Sequence, residues 1–127
     1  MTIKGDDGND TIWANSGDNW LFGGSGNDSI VGADGNDVII GGDGDDTLHG
    51  GGGNDVFFFG DDWGHDTVTQ LQNGTVTLWF LNGDLSNWNQ DTLTYSNNDN
   101  TVAVSGVDSV TIYFGGNGPE QYHTLLA

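Results

Sequence analysis

No cysteine occurs in the 127 residues, so no disulfide framework can staple the fold and any cross-linking must come from elsewhere. Lys4 is the only basic residue against 19 acidic ones, for a net charge of −18. Nucleic acid and anionic membrane surfaces both demand positive charge, so neither is an expected partner. No apolar run approaches the length of a membrane span, and no secretory leader is visible behind Met1. Catalytic signatures are absent as well. His49, His65 and His123 are scattered with no H-E-x-x-H, which argues against a zinc enzyme, and no G-x-S-x-G or phosphate-binding loop appears. Low hydrophobicity combined with such charge is the composition of a chain that holds no fold unaided.

Glycine, by contrast, is abundant at 23 residues, and it recurs on a period. A nine-residue unit runs without a gap through 5–13, 14–22, 23–31, 32–40, 41–49 and 50–58. A seventh copy, 61–69, follows the inserted Phe59 and Gly60. A short fixed period means one small unit stacked on its own copies, so the repeat decides the fold. The eighth place holds Ile12, Leu21, Ile30, Ile39, Leu48, Phe57 and Val68, all apolar. One inward side chain per unit suits a very short strand. The glycines of the first, second and fourth places suit tight loops with positive φ. Loop, strand, loop, strand makes a flattened coil with two repeats per turn.

The sixth place holds Asp10, Asn19, Asp28, Asp37, Asp46, Asp55 and Asp66. At two repeats per turn these side chains stack on adjacent rungs, roughly 4.8 Å apart. Carboxylates piled so closely repel one another unless a cation lies between rungs. Hard oxygen ligands, carboxylates together with loop carbonyls, favour Ca²⁺ over softer metals. Residues 1–69 carry −13 of the charge and the remainder −5, so ion binding would be folding free energy for the first half. An EF-hand is excluded although Asp43-Gly44-Asp45-Asp46 looks similar: that loop ends on a glutamate, and Glu120 is the only one. Pairs such as Asp61-Asp62 do not amount to glycoside hydrolysis, which needs carboxylates in a cleft with separated pKa values. No enzymatic activity is expected.

Two units, Gly23-Gly24-Ser25-Gly26-Asn27-Asp28-Ser29-Ile30 and Gly41-Gly42-Asp43-Gly44-Asp45-Asp46-Thr47-Leu48, match G-G-x-G-x-D-x-U-x in every constrained place. On these residues 5–69 resemble the RTX (repeats-in-toxin, haemolysin-type) calcium-binding repeats of secreted bacterial toxins, proteases and lipases. Gly53-Asn54-Asp55-Val56-Phe57-Phe58-Phe59-Gly60, running on to Gly64-His65-Asp66-Thr67-Val68, is similar to the end of the terminal repeat block in adenylate cyclase toxin and related exoproteins. The resemblance implies an all-β fold, a right-handed parallel β-roll over 1–69, and ions held between successive loops on the same side. The implied ligands are the sixth-place side chains of Asp10, Asn19, Asp28, Asp37, Asp46, Asp55 and Asp66. With them go the backbone carbonyls of Gly23, Ser25, Asn27, Gly32, Asp34, Asn36, Gly41, Asp43, Asp45, Gly50, Gly52 and Asn54. Loops 1, 3, 5 and 7 leave three gaps and loops 2, 4 and 6 leave two, so up to five Ca²⁺ are expected. Repeat 2 departs with Ala14-Asn15 and Asn19, and repeat 7 with Asp61-Asp62-Trp63, so the gaps 3/5 and 4/6 are the best supported. The resemblance also implies an extracellular protein, exported by type I secretion from a Gram-negative bacterium. Its partners would be calcium ions and the rest of a longer exoprotein, and the tail 118–127 is compatible with part of a secretion signal.

After Thr69 the period vanishes. Residues 75–81, 92–95, 101–104 and 107–114 alternate or run apolar, and Asn97-Asn98-Asp99-Asn100 reads as a hairpin connection. The expectation is a mostly antiparallel β segment, 70–127, capping the last rung. Flanking the buried place, the even repeats carry Trp20, Phe22, Val38, Ile40, Val56 and Phe58, an apolar face that either the C-terminal segment or a second subunit would cover. The odd repeats carry a hydroxyl ladder, Thr11, Ser29, Thr47 and Thr67. Two functions follow: a module that is disordered without Ca²⁺ and folds outside the cell, or a calcium-stabilised adhesin binding glycan or ice through that ladder.

Overall fold

The computed structural model describes residues 1–60, 63–70, 75–81, 87–89, 92–97, 100–105, 109–114 and 121–126. Every regular element among them is a strand. One sheet stacks β1 (Thr2–Lys4), β3 (Trp20–Phe22), β5 (Val38–Ile40), β7 (Asp55–Phe59), β9 (Thr75–Phe80), β13 (Ser109–Phe114) and β14 (Gln121–Leu126). The other stacks β2 (Thr11–Trp13), β4 (Ser29–Val31), β6 (Thr47–His49), β8 (His65–Thr69), β12 (Asn100–Ser105), β11 (Thr94–Asn97) and β10 (Trp88–Asn89). Parallel pairs Thr2↔Trp20, Thr11↔Ser29 and Trp20↔Val38 show two repeats per turn, as the period predicts.

The eighth place is the core. Leu21, Ile39 and Phe57 form one column, continued by Leu78 and Ile112, and Ile12, Ile30, Leu48 and Val68 form the other, continued by Val104. All but Ile12 and Val104 are fully buried. Strands β1 to β6 stay at three residues because the flanking loops require backbone that strands cannot adopt. The fourth place is glycine in every repeat, with φ from 79° at Gly64 to 119° at Gly35. A Cβ at Gly26, Gly35, Gly44, Gly53 or Gly64 would also run into a carbonyl oxygen of the previous rung. The second place is less demanding, and Asp6 and Ala33 occupy it at φ 73° and 70°.

The expected capping segment differs in its pairing. β9 joins β7 in parallel, β13 joins β9 in parallel and β12 joins β8 in parallel, so the solenoid's stacking continues beyond Thr69. Antiparallel pairing is confined to β10–β11–β12 and β13–β14. The physical reason is that Val76, Leu78 and Phe80, and Val102 and Val104, supply inward side chains in the register the last repeats leave open. The predicted hairpin has Asn97 opposite Asn100, with its two connecting residues outside the described ones. β1 adds an unanticipated strand whose Ile3 packs on Leu21. At the other end the interior widens and is filled by Phe59, Trp63, Phe80 and Tyr95, with ring centroids 4.1 Å apart for Phe80–Tyr95 and 5.1 Å for Phe59–Phe80. The Trp63 indole N–H donates to the Thr101 carbonyl at 3.0 Å.

On the first sheet, Trp20, Val38, Ile40, Val56, Phe58 and Trp79 line an open apolar groove. Of the two covers the sequence suggested, the C-terminal segment or a second subunit, the described C-terminal strands extend this sheet edge-on and do not lie across it.

Gly44→Ala is expected to destabilise the folded protein by about 1–3 kcal/mol from backbone strain, with further loss from the Gly26 contact. Gly60→Ala, where no atom lies within 4 Å of the new methyl, serves as the control. Denaturant melts in saturating calcium check the pair, and equal midpoints would refute the steric account.

Candidate metal centre

The loops are tied together by two ladders of side-chain-to-backbone hydrogen bonds that run in opposite senses. In the sixth place each carboxylate reaches back one rung. Oδ1 of Asp28, Asp46 and Asp66 accepts the backbone N–H of Asp10, Asp28 and Asp46, each at 2.8 Å. Oδ1 of Asp37 and Asp55 accepts that of Asn19 and Asp37, each at 2.9 Å. In the fifth place the reach is forward: Asn9, Asp18, Asn27, Asn36 and Asp45 accept from Asn27, Asn36, Asp45, Asn54 and His65, at 2.7 to 3.1 Å. This outer ladder is exposed, and the sequence reading missed it. Its signal was present, since the fifth place is Asn or Asp in six of seven repeats.

The inner ladder is different. Asp28, Asp37, Asp46, Asp55 and Asp66 are each 3% exposed or less, and Asp10 on the first rung is half-buried. Only one oxygen of each is used. Oδ2 of Asp10, Asp28, Asp37, Asp46, Asp55 and Asp66 is buried with no hydrogen-bond partner. An unpaired buried carboxylate oxygen is costly, and this one recurs on every rung.

In repeats 1, 3, 4, 5 and 6 the unpaired oxygen faces the first-place glycine of its own repeat. A Cβ on Gly5, Gly23 or Gly32 would lie 2.5 Å from Oδ2 of Asp10, Asp28 or Asp37. The same points lie 2.7, 2.6 and 2.8 Å from the carbonyl oxygens of Gly23, Gly41 and Gly50 on the following rung. A carboxylate and a carbonyl oxygen thus converge on space that only glycine leaves open. Hard divalent cations take several oxygen ligands at about 2.3–2.6 Å, so the donor set fits calcium. Among the described residues no three acidic or histidine side chains come together, so carbonyls and water would complete any shell.

The structure brings the predicted residues together unevenly. Gaps 1/3, 3/5 and 4/6 each pair an unpaired carboxylate oxygen with a facing carbonyl. Gap 2/4 is self-satisfied: the Asn19 amide N–H groups donate to the carbonyls of Asn15 at 2.8 Å and Gly17 at 3.1 Å, and Ala14 carries a methyl where Gly5 has none. In gap 5/7 the Asp46 oxygen faces Gly41 with no carbonyl of the next rung among its nearest atoms, and Asp61, the first place of repeat 7, lies outside the described residues. Of the other carbonyl candidates, Ser25 and Asp34 accept the Gly8 and Gly17 amides at 3.1 and 2.9 Å. Asn27, Asn36 and Asp45 contribute side chains to the outer ladder, and the Asn54 side chain accepts from the Thr75 hydroxyl at 2.7 Å. Asp43 and Gly52 hold the third place of loops 5 and 6.

Burial dominates the electrostatics. Desolvation raises the pKa of Asp66 to about 8 and those of Asp46 and Asp55 to about 6, and raises Asp28 and Asp37 as well. The backbone N–H of the preceding rung opposes the rise in each case, and for Asp28, Asp46, Asp55 and Asp66 the preceding aspartate adds to it.

Stacked loops on a parallel β-solenoid, lined by carboxylate and carbonyl oxygens, define a repeat protein built around hard cations. A family model described as "RTX calcium-binding nonapeptide repeat (4 copies)" matches residues 2–30, 23–57 and 31–68, together more than half of the chain. The chain belongs to this family, and calcium is therefore the cation its repeats take. A search of curated proteins found no match.

The pKa shifts set a pH dependence for the calcium-free chain. Folded carboxylates with raised pKa values hold protons that the unfolded chain, titrating near about 4, has released. Calcium-free folded structure is therefore favoured below pH 4 and lost as pH rises through about 6 for Asp46 and Asp55 and about 8 for Asp66. Circular dichroism in chelated buffer should show more β-structure at pH 5 than at pH 8. The reverse order would refute the assignment of these buried acids.

Proposed function

We propose that this chain is a calcium-dependent folding module of a secreted bacterial protein, disordered where calcium is scarce and rolled up where it is plentiful. The observation that supports this is the column of buried Oδ2 atoms without a partner, one per acidic repeat. Asp10, Asp28 and Asp37, with the carbonyls of Gly23, Gly41 and Gly50, would hold ions in gaps 1/3, 3/5 and 4/6, and Asp46 with Asp66 would serve gap 5/7. Bound calcium supplies the positive charge that the chain, with Lys4 alone, lacks. Everything else is done by the polypeptide. The Oδ1–amide bonds fix each carboxylate's orientation, the first-place glycines keep the space open, and the eighth-place column excludes water behind it.

Extracellular modules bind calcium with dissociation constants on the order of 10⁻⁴–10⁻³ M, so a module of this kind stays unfolded inside a cell and folds after type I export. Residues 1–69 form the metal-binding unit and 70–127 its cap, which promotes folding of the exoprotein from its C-terminal side. The hydroxyl ladder does not carry the adhesin alternative. Thr11, Ser29, Thr47 and Thr67 are in register, but the next rung is Ala103, and such ladders stabilise sheets by themselves. The partner for the open apolar groove is a second copy of the chain, associating once calcium has neutralised the loops.

Circular dichroism and hydrodynamic radius, measured in chelator and in millimolar calcium, test the central reading. A compact state unchanged by chelator would overturn it. Asp37→Asn should raise the calcium midpoint about tenfold or more, roughly 1.4 kcal/mol, by removing a charged ligand. Asp18→Asn should leave it unchanged, because an asparagine oxygen still accepts the Asn36 amide. For the groove, sedimentation in calcium should give a dimer that Trp20→Ser converts to monomer, and a monomeric parent protein would rule the dimer out.

A further inference from the structure

The calcium stack on the even side does not end where the repeats do. Ala14, Gly32 and Gly50 occupy one column, each donating its backbone N–H to the last residue of the strand one rung on: Val31, His49 and Thr69. Gln70 is the next member, donating to Ser105 at 3.2 Å. It therefore sits where an eighth repeat would place its first glycine, yet it lies beyond the residues that match the repeat family. Gln70 is 2% exposed, and its side chain turns back into the cradle of Gly50. There a Cβ on Gly50 would press on two oxygens at once, Asp55 Oδ2 and Gln70 Oε1. Both are buried, and neither has a hydrogen-bond partner.

Two acceptors facing one another in a buried space repel. Turning the amide over does not remove the conflict. Gln70 Nε2 donates to the Gly53 carbonyl at 3.1 Å and lies near enough to Asp55 to hold its pKa down, so the reversed amide would bond Asp55 directly but set Oε1 against Gly53 instead. Asn19 shows what a merely self-satisfied amide looks like in these loops, with its NH₂ bonded to two carbonyls at once. Gln70 makes one such bond and leaves its oxygen unpaired. A cation satisfies both oxygens in the orientation observed.

We propose that Gln70 Oε1 and Asp55 Oδ2 form a further divalent-cation site, in which a side-chain amide replaces the backbone carbonyl of a missing repeat. This rests on the calcium-binding reading above, and it adds one ion on the even side beyond the gaps between repeats. Gln70 ends the stack by completing its last site.

Isothermal titration and equilibrium dialysis with calcium alone, on the full chain, count the ions. Gln70→Met, similar in length but without the oxygen, should bind one calcium fewer than the parent. Gln70→Glu should keep the parent's count and hold one ion more tightly, since it supplies a charged oxygen. If the amide acts only as a donor to Gly53, Gln70→Glu loses that bond and the count falls, which overturns the proposal. An unchanged count in Gln70→Met overturns it too. Should Gln70→Met fail to fold, Gln70→Glu decides by affinity: one ion held more tightly supports the site, and a titration identical to the parent's overturns it. A parent that binds no calcium would defeat the general reading, whereas a calcium-binding parent with indifferent Gln70 variants would defeat only this site.

Discussion

The fold depends on one bond repeated rung after rung: a sixth-place carboxylate accepting the backbone N–H of its counterpart on the preceding rung. That bond does three things at once. It ties adjacent loops together where no sheet ladder reaches. It holds the carboxylate in a single orientation, so that the second oxygen of Asp28, Asp37, Asp46 and Asp55 points at the first-place glycine. It also buries the charge, which no solvent then screens. The first two effects build a site. The third makes the site unstable unless something positive fills it, and the composition provides no side chain able to do so.

The two ladders divide the work by burial. The outer one accepts asparagine and aspartate alike, since an exposed acceptor needs an oxygen and no charge. Asn9, Asn27 and Asn36 stand there beside Asp18 and Asp45. The inner ladder is aspartate in every repeat but one. An amide oxygen could accept the Oδ1 bond equally well, so hydrogen bonding alone does not explain that preference. Charge does, because a cation held between rungs would gain from a carboxylate what it would not gain from an amide.

Much of this was legible in the sequence because a fixed period converts position into geometry. The eighth-place residues named the core columns, and the sixth-place residues named the buried acids. What lay off the period was harder to read. β1 lies outside the nine-residue period, so only Ile3, in register with Leu21, marks it as a rung. The parallel continuation was hidden because β9 and β12 alternate apolar and polar residues, a pattern shared by parallel and antiparallel strands at a sheet's end. Register decides between them, and register depends on which open edge the strand meets. The aromatic cluster around Phe80 was invisible for a related reason: Trp63 and Tyr95 are 32 residues apart in the sequence and meet only through stacking. Gln70 sat one residue past the last repeat, at the first position of the expected cap.

How the acidic columns stop explains why the solenoid can keep growing past the repeats. In the register of Asp55 the next rung places Val76, and in that of Asp66 it places Val102, both fully buried. Once the sixth place is apolar, a further rung adds burial without adding repulsion, and the sheets proceed through β9, β12 and β13 on hydrophobic packing alone. The terminal carboxylate of each column is the vulnerable one, since it has a neighbour on one side only. The even column meets this with neutral amides at both ends, Asn19 before Asp37 and Gln70 after Asp55. The odd column has no such end-piece among the described residues. Its last member, Asp66, lies against Val102 and carries the highest pKa of the acids in the stack, which is what a buried charge next to an apolar rung must show.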